Sequence, residues 1–222
     1  NRRAWSDELL ATFDIPRALL PDIRPSGGAR GVTDVLGAPI PIAAVLGDQQ
    51  AATFGQGCHA PGMAKCTYGT GAFVVMHTGA DPQPPPDGLL GTVGWQLGPQ
   101  WAHACEGSIL AAGSALDWLC QTLGIAPDVP ALALLAAGVP DSGGVSFVPA
   151  LAGLGAPHWL AHARGALLGL SRGTGPGHIA RAAFEGIAAR VADVLDVLAR
   201  AGHAPAVLRV DGGLAHSDLL LQ

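Results

Sequence analysis

Two short polar segments of the chain carry residue types suited to phosphoryl transfer. Gly47-Asp48-Gln49-Gln50 follows the apolar run 42–46, so a carboxylate and two amides stand where a predicted strand ends. There a carboxylate can accept the proton of an attacking hydroxyl, while carboxamides hold neighbouring hydroxyls. Gly69-Thr70-Gly71 separates two strand-like runs, and a glycine-flanked turn exposes backbone N–H groups and a hydroxyl that can bind a phosphate. Together the segments predict a base and a phosphate cradle.

Each segment also has an ordinary structural interpretation, which is the favoured one when the segment is taken alone. Asp48 can simply cap the helix that follows it. Gly69-Thr70-Gly71 can be a plain hairpin turn, and it is not a Walker loop because no Gly-Lys-Ser/Thr sequence is present. Asp211-Gly212-Gly213 follows an apolar run and has two open interpretations, a backbone that a nucleotide approaches or a tight strand-to-helix connection.

The composition favours a globular protein with a sizeable core. Of the 222 residues, 49% are hydrophobic and only 13% are charged, which argues against disorder. The net charge is −5 and Lys65 is the only lysine, so no basic run predicts binding to nucleic acid or to an anionic membrane. The longest candidate membrane segment, roughly 129–140, is too short to span a bilayer. We therefore expect a cytoplasmic protein with no membrane span.

The cysteines and histidines predict neither disulfides nor a metal centre. Cys58, Cys66, Cys105 and Cys120 have no close-paired spacing, and the favoured interpretation is reduced thiols packed as small apolar side chains. The eight histidines are scattered and form no HExxH-like cluster, so no metal-ligand set is predicted.

The elements that must position the polar segments follow from hydrophobic periodicity. A helix after Ser6, a loop over 25–37 and a helix that opens at Glu106 and reaches Leu123 are expected. Gly113 would then lie inside a helix, where glycine costs about 1 kcal/mol relative to alanine and so indicates close packing. Strands that first cluster and later alternate with helices predict mixed α/β layers. Further strands are predicted at 41–46, 63–68, 72–78, 89–96, 101–105, 145–148, 166–170 and 207–210, and further helices at 50–56, 131–137 and 177–201.

Six segments, in order and at fitting separations, resemble one family. They are GDQQAATFGQ, PGMAKCTYGTGAF, EGSILAAGSALDWL, VPALAGLGAPHW, ARGALLGLSRG and LRVDGG. They resemble the FGGY carbohydrate kinases of the actin-like ATPase superfamily, and the likeness covers essentially the whole chain. The double glutamine and the MAK-TYGTG segment favour the glycerol-phosphorylating branch over the pentulose kinases. The resemblance implies an actin-like (ribonuclease H-like) α/β domain with a mixed β-sheet flanked by helices, and ATP bound in a cleft between two domains.

The resemblance also implies roles for individual residues. Asp48 would deprotonate the attacking hydroxyl and organise Mg²⁺ through water. Gln49 would contact substrate hydroxyls, and Phe73 would pack on the carbon face of the polyol. The family pattern has glutamine at position 117 and asparagine at position 217, and this chain departs from it at both. The implied nucleotide-binding residues are Gly69, Thr70, Gly71, Gly113, Asp117, Gly213 and Ser217.

The resemblance further implies that the chain is part of a longer, two-domain protein. Residues 1–40 would lead in from the end of a first domain absent here, and residues 41–222 would form the C-terminal nucleotide-binding domain, truncated at its C-terminus. The expected activity is ATP-dependent phosphorylation of glycerol to glycerol 3-phosphate, with ATP, Mg²⁺ and the polyol as ligands and this fragment inactive alone. Three points stay open: a pentulose or tetritol substrate, a non-catalytic actin-like nucleotide-binding module, and a homo-oligomer.

Overall fold

The structure, a computed structural model, describes residues 4–222, so the first three residues of the predicted lead-in lie outside the described residues. Besides the helices and strands, 3₁₀ turns occur at Arg17–Leu19 and Gly213–His216. In chain order the elements are α1 (Asp7–Thr12), β1 (Gly27–Thr33), β2 (Ile40–Ala44), α2 (Asp48–Gly55), β3 (Ala64–Tyr68), β4 (Ala72–Gly79), β5 (Leu90–Leu97), β6 (Gln100–Ile109), α3 (Gly113–Gln121), α4 (Val129–Ala137), β7 (Ser146–Val148), β8 (Ala166–Leu168), α5 (Pro176–Arg200), β9 (Leu208–Asp211) and α6 (Asp218–Leu221).

A five-stranded mixed sheet forms the centre of the molecule, in the order β5-β6-β4-β3-β9. The strands from β3 to β6 pair antiparallel, whereas β9 pairs parallel to β3 after the long crossover through the helices. Because side chains alternate along a strand, the two faces of β3 differ. Ala64, Cys66 and Tyr68 join the hydrophobic core, whereas Lys65 reaches Gln49 of α2 on the other face.

The hydrophobic core lies between the sheet and the helices α3, α4 and α5. Leu116 of α3, Leu132 of α4 and Phe184 of α5 are fully or almost fully buried there with Val74 of β4. The 25-residue helix α5 supplies the longest stripe of core side chains at intervals of three and four residues, as its sequence periodicity predicts. The opposite face of the sheet carries α2, which contacts β3, β4 and β5.

Two sequence-based predictions are wrong. The helix expected to open at Glu106 begins only at Gly113, since β6 continues to Ile109 and pairs there with Ala72 of β4. Hydrogen bonds to a neighbouring strand outweigh the local helical pattern. The expected loop over 25–37 contains β1, which forms a hairpin with β2. Gly28 and Gly31 have positive φ and the register shifts beside them, so the alternation that normally reveals a strand is lost.

Most other predicted elements are confirmed. The Gly69–Gly71 segment turns β3 into antiparallel β4, and the Ser6 side chain accepts a hydrogen bond from the Leu9 backbone N–H at the start of α1. All four cysteines are free and buried, which agrees with their interpretation as apolar residues.

None of the helices within residues 4–222 combines the length and the apolar character that a membrane span requires. That range also contains no cluster of three or more His, Cys, Asp or Glu side chains that could hold a metal ion.

Cys66 and Cys105 are expected to make the fold sensitive to alkaline pH. Burial raises the pKa of Cys66 to about 12 and that of Cys105 to about 11, from an ordinary 9.0. Above pH 9 the unfolded thiols therefore lose protons that the folded thiols keep, and the free energy of unfolding falls by about 1.4 kcal/mol per pH unit for each thiol. Urea unfolding at pH 8 and pH 10, under reducing conditions, measures this loss.

Cys66→Ala is the matched variant for this measurement. It leaves a small cavity and lowers stability at both pH values. It also removes one of the four thiols whose pKa is raised by burial, so the loss between pH 8 and pH 10 should be smaller than in the wild type. An equal loss in both proteins would contradict the assignment.

Candidate functional site

A cavity of about 560 Å³ opens beyond the carboxyl end of β3. Its wall combines the turn after β3, the first turns of α3 and α4, part of α5 and the segment after β9. Of the seven residues predicted to bind nucleotide, six line it: Gly69, Thr70, Gly113, Asp117, Gly213 and Ser217. Gly71 does not. It is the last residue of the turn and is buried, and a Cβ atom at this position would collide with the carbonyl oxygen of Ile109.

The turn after β3 is bound to the start of α3 through its carbonyl groups. Gly69 O accepts from the Gly113 N–H at 2.9 Å, and Thr70 O accepts from the Ala112 N–H at 2.9 Å and from the Ser114 hydroxyl at 2.9 Å. A Cβ atom on Gly113 would lie 2.6 Å from Gly69 O, so the approach requires glycine. The close packing that the sequence indicated for Gly113 is therefore real, although this residue begins the helix.

These hydrogen bonds decide what the turn presents to the cavity. The N–H groups at the start of α3, which have no partner within a helix, are satisfied by the turn. The Thr70 side chain is exposed at the cavity, and its hydroxyl has no hydrogen-bond partner within residues 4–222. A free hydroxyl on a rigid turn is available to a ligand.

The remaining wall is largely apolar, and the sequence analysis did not predict it. Its residues are contributed by the end of β3, by α4 and α5, and by the 3₁₀ turn after β9. A mainly apolar cavity with a few polar groups suits an organic ligand that has a flat apolar part and a polar end. The apolar sequence of α4 was the only available signal of this wall. Which of its side chains face the cavity depends on tertiary packing. The additional lining residues are Tyr68, Val129, Pro130, Ala133, Phe184, Leu214 and His216.

The predicted base lies at the start of α2, on the other face of the sheet. Asp48 is exposed, and its Oδ1 accepts a hydrogen bond of 2.7 Å from the Gln49 N–H. The N-cap residue is Gly47, so Asp48 occupies the first turn and does not cap the helix itself. A carboxylate at a helix N-terminus is stabilised by the helix dipole, and this one keeps further acceptor positions open to solvent.

The adjacent Gln49 is bound to the sheet through a hydrogen bond of its side chain. Its Oε1 accepts from Lys65 Nζ, and its carbonyl oxygen accepts from the Thr53 hydroxyl at 2.7 Å. Lys65 is completely buried and also donates to the Thr67 hydroxyl at 2.7 Å. Burial lowers the pKa of Lys65, and the surrounding carboxylates, chiefly that of Asp211, oppose the shift. Lys65 was not predicted as a partner of Gln49, and the only signal in the sequence was that Lys65 is the single lysine.

Phe73 lies on the same face of the sheet as Gln49. It is half-buried in β4, opposite Thr67 of β3 and Ser108 of β6. Asp48, Gln49 and Phe73 do not line the cavity. The structure thus gathers the predicted residues into two groups, one in the cavity beyond β3 and one at the start of α2 and on the sheet face that α2 covers.

A polar contact links the two groups through α2. Gln56 Nε2 at the end of α2 donates to Asp211 Oδ2 at 2.9 Å. Asp211 ends β9 and immediately precedes Gly212 and Gly213, where the cavity wall begins. Gln56 therefore fixes α2 against the strand that leads into the cavity.

Comparison with known proteins places this geometry in a family. The model of the FGGY family of carbohydrate kinases, C-terminal domain, matches residues 64–222. Glycerol kinase from Aromatoleum aromaticum is 53% identical over 225 residues and that from Citrifermentans bemidjiense is 54% identical over 226, each covering 100% of this chain. The chain spans 45% and 46% of these two relatives, about half the length of each.

Solved structures of kinases share the fold. A Plasmodium falciparum glycerol kinase with ADP superposes with a TM-score of 0.87 at 33% identity, covering 99% of this chain and 45% of that one. A xylulose kinase from Rhodospirillum rubrum gives 0.79 at 26% identity, covering 97% and 45%. These likenesses confirm the predicted actin-like, ribonuclease H-like α/β fold with a mixed sheet flanked by helices.

Gly113→Ala is expected to destabilise the protein by about 1–3 kcal/mol, because its Cβ atom meets the backbone oxygen of Gly69. Gly213→Ala is the matched control, since nothing lies within 4 Å of its Cβ position and its φ is ordinary. This variant should change stability by less than about 0.5 kcal/mol. Urea unfolding of both variants provides the measurement, and equal stabilities would refute the proposed close contact.

Proposed function

Because the chain belongs to the FGGY family of carbohydrate kinases, we propose that it forms the ATP-binding half of a glycerol kinase. The observation that carries the proposal is the convergence on one cavity, at the end of β3, of six residues from distant segments that the family resemblance implies as nucleotide-binding. The identity of more than 50% to two glycerol kinases supports glycerol as the acceptor. The reaction would transfer the terminal phosphoryl group of ATP to a hydroxyl of glycerol, giving glycerol 3-phosphate.

The cavity would bind ATP through its two kinds of wall. The apolar residues Val129, Pro130 and Phe184 would contact the adenine ring, and Asp117 and Ser217 would lie near the adenosine. The exposed Thr70 hydroxyl, between Gly69 and Gly71, would reach the terminal phosphates. The Plasmodium falciparum glycerol kinase was solved with ADP, which supports a nucleotide ligand for this fold.

Asp48 would act as the base and would help to hold Mg²⁺. Its carboxylate is exposed and uses one oxygen for the Gln49 N–H, so lone pairs remain for a substrate hydroxyl and for water. A single carboxylate suits Mg²⁺, which keeps several water ligands and is otherwise bound by phosphate oxygens. When bound, the ion neutralises charge on the phosphates. Gln49 would hold the substrate hydroxyls, and Phe73 would cover the carbon chain.

Residues 4–45 support the proposal that a further domain precedes this one. No residue from 4 to 45 is buried, and the β1–β2 hairpin exposes Val32, Val35, Leu36 and Ile42. Apolar side chains exposed together normally mark a surface that is covered in the complete protein. The expected boundary at residue 40 falls within this hairpin, so the lead-in is proposed to extend through β2, and the C-terminal domain to follow it. The proposed cleft lies between the two domains, and this chain alone should be inactive.

Asp48→Asn in the two-domain protein is expected to lower kcat for glycerol phosphorylation by about 10²–10⁴-fold, because the amide cannot accept the proton. The dissociation constant of ATP, measured by calorimetry, should change less than twofold. Asp196 is an exposed carboxylate of α5. Asp196→Asn is the matched control and should keep wild-type turnover. Near-normal turnover of Asp48→Asn would refute the assignment of the base.

The same assay separates the alternative functions. Turnover of xylulose above that of glycerol would indicate a pentulose kinase. ATP binding without phosphorylation of any polyol would indicate a non-catalytic module.

A further inference from the structure

We propose that Lys65 is a positioning residue that fixes the orientation of the Gln49 carboxamide and so determines which hydrogen-bonding groups the substrate meets. This inference rests on the proposed function, in which Gln49 contacts substrate hydroxyls. Lys65 lies beneath this site and has no exposed surface.

Lys65 is placed so that it can act only on its immediate neighbours. It is the only lysine of the chain and is completely buried in β3, between β4 and β9. Its Nζ donates to Gln49 Oε1 and to the Thr67 hydroxyl. A buried ammonium must have hydrogen-bond acceptors around it, because an unpaired charge in the interior is strongly destabilising. Gln49 Oε1 therefore supplies one of the acceptors that the buried ammonium needs.

The ammonium decides which end of the carboxamide points inward. An ammonium group has three donors and no acceptor, whereas a carboxamide has an oxygen acceptor at one end and an NH₂ donor at the other. If the carboxamide were rotated by 180°, its N–H groups would face the Nζ protons and both groups would lose a partner. The cost of such an unsatisfied buried pair keeps Gln49 Oε1 directed at Lys65. The NH₂ group must then point away from Lys65.

This orientation gives the substrate two complementary neighbours. Gln49 offers only N–H donors, and Asp48 in its ionised form offers only acceptors. A hydroxyl group can accept from Gln49 and donate to Asp48, which places its proton at the base. A carbonyl oxygen can accept from Gln49 but has no proton for Asp48. The pair is thus suited to a polyol at this position, and the preference originates in Lys65.

A positioning role differs from a merely structural one in its effect on the polyol. In the two-domain protein, Lys65→Met should raise the KM for glycerol about tenfold, the size of one hydrogen bond, with the KM for ATP within twofold of the wild type. Thr67→Val removes the other partner of Lys65 but leaves Gln49 oriented. It should lower stability without changing the KM for glycerol. An unchanged KM for glycerol in Lys65→Met, or an equal rise in Thr67→Val, would overturn the proposal.

Gln49→Glu provides a test that does not require the removal of Lys65. A glutamate has the same shape and can still accept from the ammonium, so α2 stays in place and the protein folds. Its outward oxygen cannot donate, however, and the KM for glycerol should rise at least tenfold. A wild-type KM for this variant would show that no outward N–H group meets the substrate, and would refute the proposed orientation.

A double-mutant cycle distinguishes this proposal from the proposed function. If Lys65 acts through Gln49, Gln49→Leu should shift the urea midpoint less in the Lys65→Met background than in the wild type. Wild-type protein that fails to phosphorylate glycerol would refute the proposed function, while the cycle would still decide whether Lys65 holds Gln49. Equal shifts in both backgrounds would overturn the coupling.

Discussion

The close approach of the turn at Gly69–Gly71 to the start of α3 is the constraint on which the rest of the site depends. A Cβ atom on Gly113 would collide with the carbonyl oxygen of Gly69, and one on Gly71 with that of Ile109 at the end of β6. The turn and the start of α3 cannot separate without loss of the hydrogen bonds that join them. This contact fixes the end of β3 and the beginning of α3 at once. It therefore determines where Thr70 and Asp117 stand in relation to each other on the wall of the cavity.

The same turn sets the register of β3 and β4, and the register separates apolar from polar side chains. Cys66 and Tyr68 belong to the core between the sheet and the helices α3, α4 and α5, whereas Lys65 and Thr67 lie on the opposite face, which α2 covers. One strand thus supports two groups of candidate site residues on its opposite faces. Because α2 is tied to β3 through Gln49 and to the end of β9 through Gln56, the proposed substrate residues and the cavity beyond β3 belong to one packed unit.

The resemblance of the six segments to a known family implied a set of nucleotide-binding residues from distant parts of the chain, and their role in binding stays a prediction. Six of the seven nucleotide-binding residues implied by that resemblance line one cavity, whereas Gly71 is buried within the turn. The wall formed by Val129, Pro130 and Phe184 was not predicted. Their apolar side chains are typical of an ordinary core. Only the packing of α4 beside α5 leaves these residues facing a cavity.

The sequence by itself determined the elements whose signals are local. The glycine turn between β3 and β4, the capped start of α1 and the periodic helix α5 all followed from propensity and spacing. Tertiary structure alone decided that residues 106–109 extend a strand, that β1 pairs with β2 and that Lys65 meets Gln49. In each of these cases, the deciding hydrogen bonds join residues that are not neighbours in the chain. A strand partner or a buried cation outweighs local propensity, and a single sequence does not reveal which distant residue will supply it.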